Sequence, residues 1–502
     1  MRISLNFAAG LANSVWSAIV SFVAVPFYIK YLGIEAYGLI GYFITLQAVM
    51  QLLDVGLSPT INREVARCMA NDQPQDARNL LHTLAYIYWG TALAIAVLLY
   101  LGSTLIADHW LQSNQLPKET VVEALIFMGL IIAARWPVGL YSGAIIGAQR
   151  LTISSSVSIL AITFGNIGAV LILAFVSPTI SAFFLWQAAI GIIYALTMRK
   201  AAWLVVGKSA ETRIDLDYLK SVWHFSAGMA GVAVASVILI QSDKVILSRL
   251  LSLEDFGRYT LATVAASALY VLLTPLFNTI YPQLTKLVSN NNTEKLLAFY
   301  RNSTRIFLAL LIPITATVTL YSRELVYLWT GNEELSFQVA PLVSVLISGT
   351  ALNGVMLFPY ALQLANGKYQ IALKITLILI CITIPTLLLL TDLYGPIGGA
   401  STWLITNSLY LIIGTYLTHR QMLTGYAIRW LTQDVGIPMI LSYAIVISIG
   451  FLLKFQDFSA LTVVLLAIPA MLLTSFALLF YAPMSRKLIT EHLQSSRFRI
   501  FV

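Results

Sequence analysis

The chain has 502 residues, 59% of them hydrophobic and only 10% charged, with a mean hydropathy of +0.83 and a formal net charge of +8. A soluble domain carries about a quarter charged residues, so this composition excludes one and points to an all-α polytopic membrane protein. The basic excess does not indicate nucleic acid, because the cations sit in loops between apolar runs without an aromatic-interleaved stripe. Two cysteines, Cys68 and Cys381, are too few for a disulfide framework or a CxxC metal site.

In chain order, runs of about 20 apolar residues, the length that spans the hydrocarbon as a helix, begin near residues 7, 36, 81, 121, 151, 179, 225, 255, 303, 336, 370, 395, 433 and 459. That gives fourteen predicted spans. The first, Phe7 to Ile29, outlasts the apolar core of a cleaved signal, about 7 to 15 residues, and is expected to be retained. Orientation follows from lysine and arginine in the short loops. With a cytoplasmic N-terminus, 22 of the 30 basic residues fall inside, seven outside and Arg135 within the membrane. Arg63, Arg67 and Arg78 follow the second span; Arg199, Lys200, Lys208, Arg213 and Lys220 the sixth; Lys286, Lys295, Arg301 and Arg305 the eighth. Both termini are then cytoplasmic, and the tail cations Arg486, Lys487, Arg497 and Arg499 suit an anionic inner leaflet.

The sequence repeats. FAAGLAN at Phe7 to Asn13 returns as FSAGMAG at Phe225 to Gly231, an offset of 218, and LGIEAYG at Leu32 to Gly38 returns as LSLEDFG at Leu251 to Gly257, an offset of 219. The threonine-isoleucine step at Thr60 recurs at Thr279, and GAQRLTI at Gly147 echoes ANGKYQI at Ala365. A common offset implies two six-helix bundles of the same orientation, the parallel-repeat plan of some secondary transporters, which bind substrate near the midplane. The expected organisation is a bundle over 1–200, a cytoplasmic linker over 201–220, a second bundle over 221–418, an extra helix pair over 419–485 and a basic tail over 486–502.

FVAVPFYIKYLGIEAYGLIGYF at 22–43, LLDVGLSPTINREVAR at 52–67 and QSDKVILSRLLSLEDFGRYTLA at 241–262 resemble the polysaccharide transporters of the multidrug/oligosaccharidyl-lipid/polysaccharide superfamily, in particular the O-antigen flippases of the Wzx type. The resemblance covers nearly the whole chain. It implies two six-helix bundles facing each other around a central cavity, often with two further helices. It also implies translocation of an undecaprenyl-pyrophosphate-linked oligosaccharide from the cytoplasmic to the periplasmic leaflet of a bacterial inner membrane, with the polysaccharide polymerase and chain-length machinery as partners.

Arg135, in LIIAARWPVGLY, is the only charge between Ala124 and Ala148 and lies about 20 Å from either end of its span. Arginine at that depth is unfavourable by about 2.5 to 3.5 kcal/mol on insertion scales, so something must compensate it. Asp54 and Asp243 each lie on the order of 10 Å away in depth, too far for a direct pair. Pro137 frees the carbonyl of Ala133, which satisfies one guanidinium donor of five. The remaining explanation is a water-filled cavity where Arg135 meets pyrophosphate or an acidic sugar, set against a structural pairing or kink. The repeat position is near Asn353 or Gly354, so the cation belongs to one bundle alone.

Other candidates have two readings each. Asp54 is either a proton or sodium coupling site or an acid at the turn made by Gly56 and Pro59. Asp243 and Lys244 either pair locally or line the outer vestibule, and Asp243, like Asp54, permits proton or sodium coupling. Lys30, Arg63 and Lys374 either contact substrate or mark the interfaces. The DxD of IDLD at Ile214 to Asp217 sits in a loop too short for a nucleotide-sugar domain and reads as a helix cap. His82, His109, His224, His419 and His492 lack metal-ligand spacing, and no nucleophile triad or phosphate loop is present. No cofactor or metal is expected. Two function classes follow: a transporter, whether glycan flippase or multidrug exporter of the same superfamily, and an integral-membrane glycosyltransferase or polymerase. The longest outer loop, about Ala107 to Thr120, offers only Asp108 and Glu119 as catalytic acids and favours transport. Since the two repeats supply both walls of a cavity, a functional monomer is expected.

Overall fold

The computed structural model describes residues 2–54, 56–207, 212–214, 234–453 and 459–481. FSAGMAG, both aspartates of IDLD, Lys208, Lys220, His224, His492 and the basic tail lie outside the described residues. Hydrocarbon offers no partner for a backbone amide, so an apolar run must satisfy its hydrogen bonds within itself; among the described residues every regular element is helical. Among the described residues twelve stretches are long and apolar enough to cross a membrane. A helix over residues 234–250 and the continuous Pro396–Met422 stretch, which passes through a π-helical turn at Tyr410–Gly414, bring the count to the expected fourteen.

By spatial proximity of the chain, two compact units form, Met1–Thr260 and Leu261–Val502. The first contains α1 (Arg2–Leu32), α2 (Ile34–Met50), α3 (Leu57–Ala70), α4 (Pro74–His109), α5 (Lys118–Gly147), α6 (Leu151–Phe175), α7 (Ile180–Val206), α8 (residues 234–250) and the first half of α9 (Leu253–Ser267). The second predicted span does not run through unbroken. After α2 the chain tightens into a 3-10 turn at Gln51–Asp54. Gly56 then takes a left-handed conformation, φ 75°, and the amphipathic α3 starts in a new direction. It buries Ile61, Val65 and Cys68 against α4 and α5. At the offset of 219, Met50 maps onto Leu269, and the corresponding span of the second copy also breaks there, between α9 and α10 (Tyr270–Ser289).

Three further features show the repeat in atomic detail. In the first copy of the α5–α6 turn, Gln149 N–H donates to the Ile146 carbonyl, Arg150 N–H to Ile145 and Ile153 N–H to Arg150; in the second, Gly367 donates to Leu364, Lys368 to Gln363 and Ile371 to Lys368. Gln149 and Gly367 both have positive φ, 57° and 67°. Within the first unit, the two glutamate-glycine motifs also pack on each other reciprocally. A Cβ on Gly38 would overlap the Leu253 carbonyl oxygen, and one on Gly257 the Ile34 carbonyl oxygen. Each glycine thus meets the residue equivalent to its own fourth predecessor. Beside this crossing, the buried Glu35 carboxylate accepts from Asn114 N–H at 2.6 Å and Gln115 N–H at 2.9 and 3.1 Å, while Leu253 N–H donates to the Gln112 carbonyl at 2.8 Å. The α4–α5 loop is thereby tied to both copies of the motif. The third feature, a polar tie between helices, belongs to the site.

The second unit comprises α10, α11 (Thr293–Leu320), α12 (Ser322–Thr330), α13 (Glu333–Val355), α14 (Leu357–Ala365), α15 (Tyr369–Tyr394), α16 (Pro396–Leu409), α17 (Thr415–Met422), α18 (Ala427–Arg429), α19 (Ile437–Leu453) and α20 (Ala460–Tyr481). The extra pair α19 and α20 packs on α11 through Ala316, Val446 and Ala467. A π-helical stretch, Trp430–Gly436, carries Asp434, whose side chain is completely buried. It accepts from Arg301 Nε at 3.1 Å and Arg305 Nε at 2.6 Å, both on α11. Arg301 also lies over the Tyr426 ring at 5.2 Å, and burial, with Asp434 adding to it, pushes the Tyr426 hydroxyl above its ordinary range.

Candidate functional site

Arg135 stands in the middle of α5, followed by Trp136 and the in-helix Pro137. Gly191 on α7 leaves it room: a Cβ there would approach the guanidinium Nε to 3.3 Å. Arg135 Nη2 donates to Gln187 Oε1 on α7 at 2.7 Å, and Gln187 Nε2 in turn donates to the Gly165 carbonyl on α6 at 3.2 Å. Among the described residues Arg135 makes no ion pair and no other hydrogen bond. The Ala133 carbonyl expected to receive it does not, because Gln187 supplies an acceptor across the helix interface instead. The second unit repeats this tie with neutral groups. Asn353 on α13, at the repeat position of Arg135, donates to Asn407 on α16 at 2.9 Å.

The guanidinium lines a cavity of about 440 Å³ inside the first unit, together with Asp54, Ser58, Tyr88, Gln47 and Trp136. Sites for small ligands commonly measure about 300 to 1,000 Å³, so the volume accommodates a pyrophosphate or a sugar. The cavity exists because α2 breaks there. The turn at Gln51–Asp54 and the left-handed Gly56 divert the chain, and Asp54 then receives Ser58 N–H at 3.2 Å, Ser58 Oγ at 3.0 Å and the Tyr88 hydroxyl. A carboxylate at the start of α3 is well placed for the helix's free amides and dipole. Asp54 and Arg135 share the cavity without pairing, so among the described residues this mid-helix cation has no ionic partner. Four donors of the guanidinium fork remain for a ligand, the geometry that binds phosphate or carboxylate in a bidentate manner.

The other sequence candidates lie elsewhere. Arg63 and Arg67 both approach the buried Glu64, at 3.8 and 2.8 Å, on the far part of α3. Lys30 is exposed at the end of α1, its ammonium 5.7 Å from the Tyr31 ring centre. Lys374 is exposed in the second turn of α15. Asp243 and Lys244 pair locally at 3.1 Å, and the Tyr259 hydroxyl donates to Asp243 at 2.7 Å. Among the described residues no cluster of histidine, cysteine or carboxylate groups has the makings of a metal site.

A family model described as polysaccharide biosynthesis protein matches residues 6–288, more than half of the chain. The chain belongs to that family. The resemblance of this chain to the polysaccharide transporters, read from the motifs at 22–43, 52–67 and 241–262, is thereby upheld. This family member is 23% identical over 417 residues to a "Putative O-antigen transporter" of Shigella flexneri, covering 79% of this chain and 94% of that protein. It is 20% identical over 483 residues to the membrane protein EpsK of Bacillus subtilis, covering 92% of each. Among solved structures, the lipid II flippase MurJ in an inward closed conformation aligns over 97% of this chain and 99% of its own, with a TM-score of 0.70 at 15% identity. An inward-facing multidrug transporter of the MATE family aligns over 82% of this chain and 98% of its own, with a TM-score of 0.64 at 14% identity. At these identities the two structures establish the fold alone: a multi-pass helical membrane protein.

Sequence reasoning missed Gln187, Tyr88, Ser58 and Asp434. Gln187 carried a signal, an amide in an apolar helix, with another amide, Asn407, within two residues of the repeat position. Asp434 stands near the start of the thirteenth predicted span and was open to the same scrutiny as Asp54 and Asp243.

Proposed function

We propose that this protein is a flippase for a lipid-linked glycan, moving an undecaprenyl-pyrophosphate-linked oligosaccharide from the cytoplasmic to the periplasmic leaflet by alternating access. The observation that carries the reading is a midplane arginine with one neutral partner, opening on a cavity large enough for the anion. Burying an arginine in a span is unfavourable, and the chain places this one where an anionic group can compensate it. The pyrophosphate, or an acidic sugar, fills that role in transit. The relatives named as transporter of O-antigen and as flippase of lipid II support the same substrate class, as does the family's place in polysaccharide biosynthesis. The protein works in the bacterial inner membrane with both termini cytoplasmic and as a monomer.

Expression in a bacterial strain lacking its own flippase tests this. Cells with the protein display surface glycan and clear the lipid-linked oligosaccharide that the empty strain accumulates on its cytoplasmic leaflet. Elongation of glycan by the purified chain would replace the reading with a polymerase. Drug resistance without restored glycan would replace it with a multidrug exporter.

A further inference from the structure

The second unit carries a strip of aromatic rings and amides that includes Asn353, the repeat position of the first unit's cation. On α10, Tyr270, Phe277 and Tyr281 fall at i, i+7 and i+11 and so share one face. Phe277 and Tyr281 have ring centres 5.7 Å apart with planes 5° from parallel; Phe277 and Tyr360 on α14 are 5.8 Å apart at 24°. Earlier on α10, the Tyr270 hydroxyl donates to Asn353 Oδ1 on α13 at 3.4 Å, and Asn353 is tied to Asn407. Seven residues separate Tyr270 from Phe277 and Asn353 from Tyr360, so the two pairs form successive rungs about 10 Å apart.

A packed core does not explain this strip. Phe277, Tyr281 and Tyr360 are only half-buried and Tyr270 is 40% exposed. Among the described residues the Tyr281 and Tyr360 hydroxyls have no hydrogen-bond partner. A lipid chain is a poor occupant, because it would cover phenol and amide groups without satisfying them. An anion is no better served, since Asn353 stands where the first unit has arginine. A pyranose ring fits both properties. One of its faces consists of C–H groups, whose slight positive charge suits the negative face of an aromatic ring. Its rim consists of hydroxyls that donate and accept, as phenol and amide groups do.

We propose that this strip is a saccharide subsite, with a neutral pyranose stacked against Phe277 and Tyr360 and its hydroxyls met by Tyr281, Tyr270 and Asn353. The inference rests on the glycan-transport reading and adds which residues hold the sugar rather than the pyrophosphate. In full-length protein reconstituted in nanodiscs, binding is measured for two probes, undecaprenyl pyrophosphate and the same carrier bearing one N-acetylglucosamine. The sugar-bearing carrier binds about tenfold tighter, the order that one stacked ring contributes. Phe277→Leu and Tyr360→Leu, which keep apolar bulk but remove the ring faces, erase that increment and leave the bare carrier's affinity unchanged. Arg135→Ala does the reverse, weakening both probes and preserving the ratio between them. Equal affinity of the wild type for both probes, or leucine variants that keep the increment or weaken both probes alike, overturns the subsite while leaving the transport reading intact. A wild type that binds neither probe overturns both.

Discussion

Two charged groups in this protein share a rarity and differ in everything else. Arg135 in the first unit has one neutral partner and opens on a cavity; Asp434 in the second is completely buried and held by two arginines. Among the described residues the first charge has no ionic partner, and the second has its partners supplied. A charge within a span is evidence of ligand binding only when its compensation cannot be found among its neighbours. Asp434 fails that criterion and reads as the tie that fixes the extra helix pair to α11. The comparison extends to Asn353, which occupies the position of Arg135 in the second copy and forms the same interhelical tie without a charge.

Substitutions sharpen this contrast. Asp434→Ala leaves Arg301 and Arg305 without their shared carboxylate; breaking such a buried pair costs about 3 to 5 kcal/mol. Its expected result is protein lost from the membrane fraction and a sharply lowered melting temperature in detergent, whereas unchanged melting would deny Asp434 its structural role. Next in size, Asn353→Arg puts a cation where the second unit holds a neutral amide tied to Asn407, at about 2.5 to 3.5 kcal/mol. Membrane abundance should fall severalfold, and a normal level would mean that the two copies are equally hospitable to charge. Gln187→Leu removes the acceptor that Arg135 has among the described residues, with a cost of about 1.5 to 3 kcal/mol for a hydrogen bond to a charged group. The protein still accumulates, with surface glycan reduced in part. Smallest are Lys30→Ala and Lys374→Ala, exposed positions outside the cavity, where surface glycan should change by less than about twofold. A larger loss at either position would enlarge the substrate path beyond the cavity.

Much of the fold was legible because membrane physics leaves few choices. An apolar run of the right length must become a helix, and a repeat offset of 218 to 219 appears in the same turns, breaks and glycine contacts. The midplane position of Arg135 was legible for the same reason, since depth follows from counting. Partners were not. The Arg135–Gln187 bond, the Asp54–Ser58–Tyr88 cluster and the Arg301–Asp434–Arg305 tie join residues 52, 34 and more than 120 positions apart, and helix rotation decides which side chains meet. The break after α2 was suggested by Gly56 and Pro59, yet the cavity that it opens depends on how α3 packs against α4 and α5. The aromatic strip escaped for a related reason: Phe277 and Tyr360 lie on different helices, and neither is unusual alone.

The most direct measurement compares wild type, Arg135→Ala and Arg135→Lys in the flippase-deficient strain, scoring surface glycan against the amount of protein in the membrane. The account predicts that Arg135→Ala accumulates like the wild type and delivers no glycan, with partial recovery by lysine because charge persists without the planar fork. Normal delivery by Arg135→Ala, or its disappearance from the membrane, would contradict the claim that this arginine is kept for the substrate.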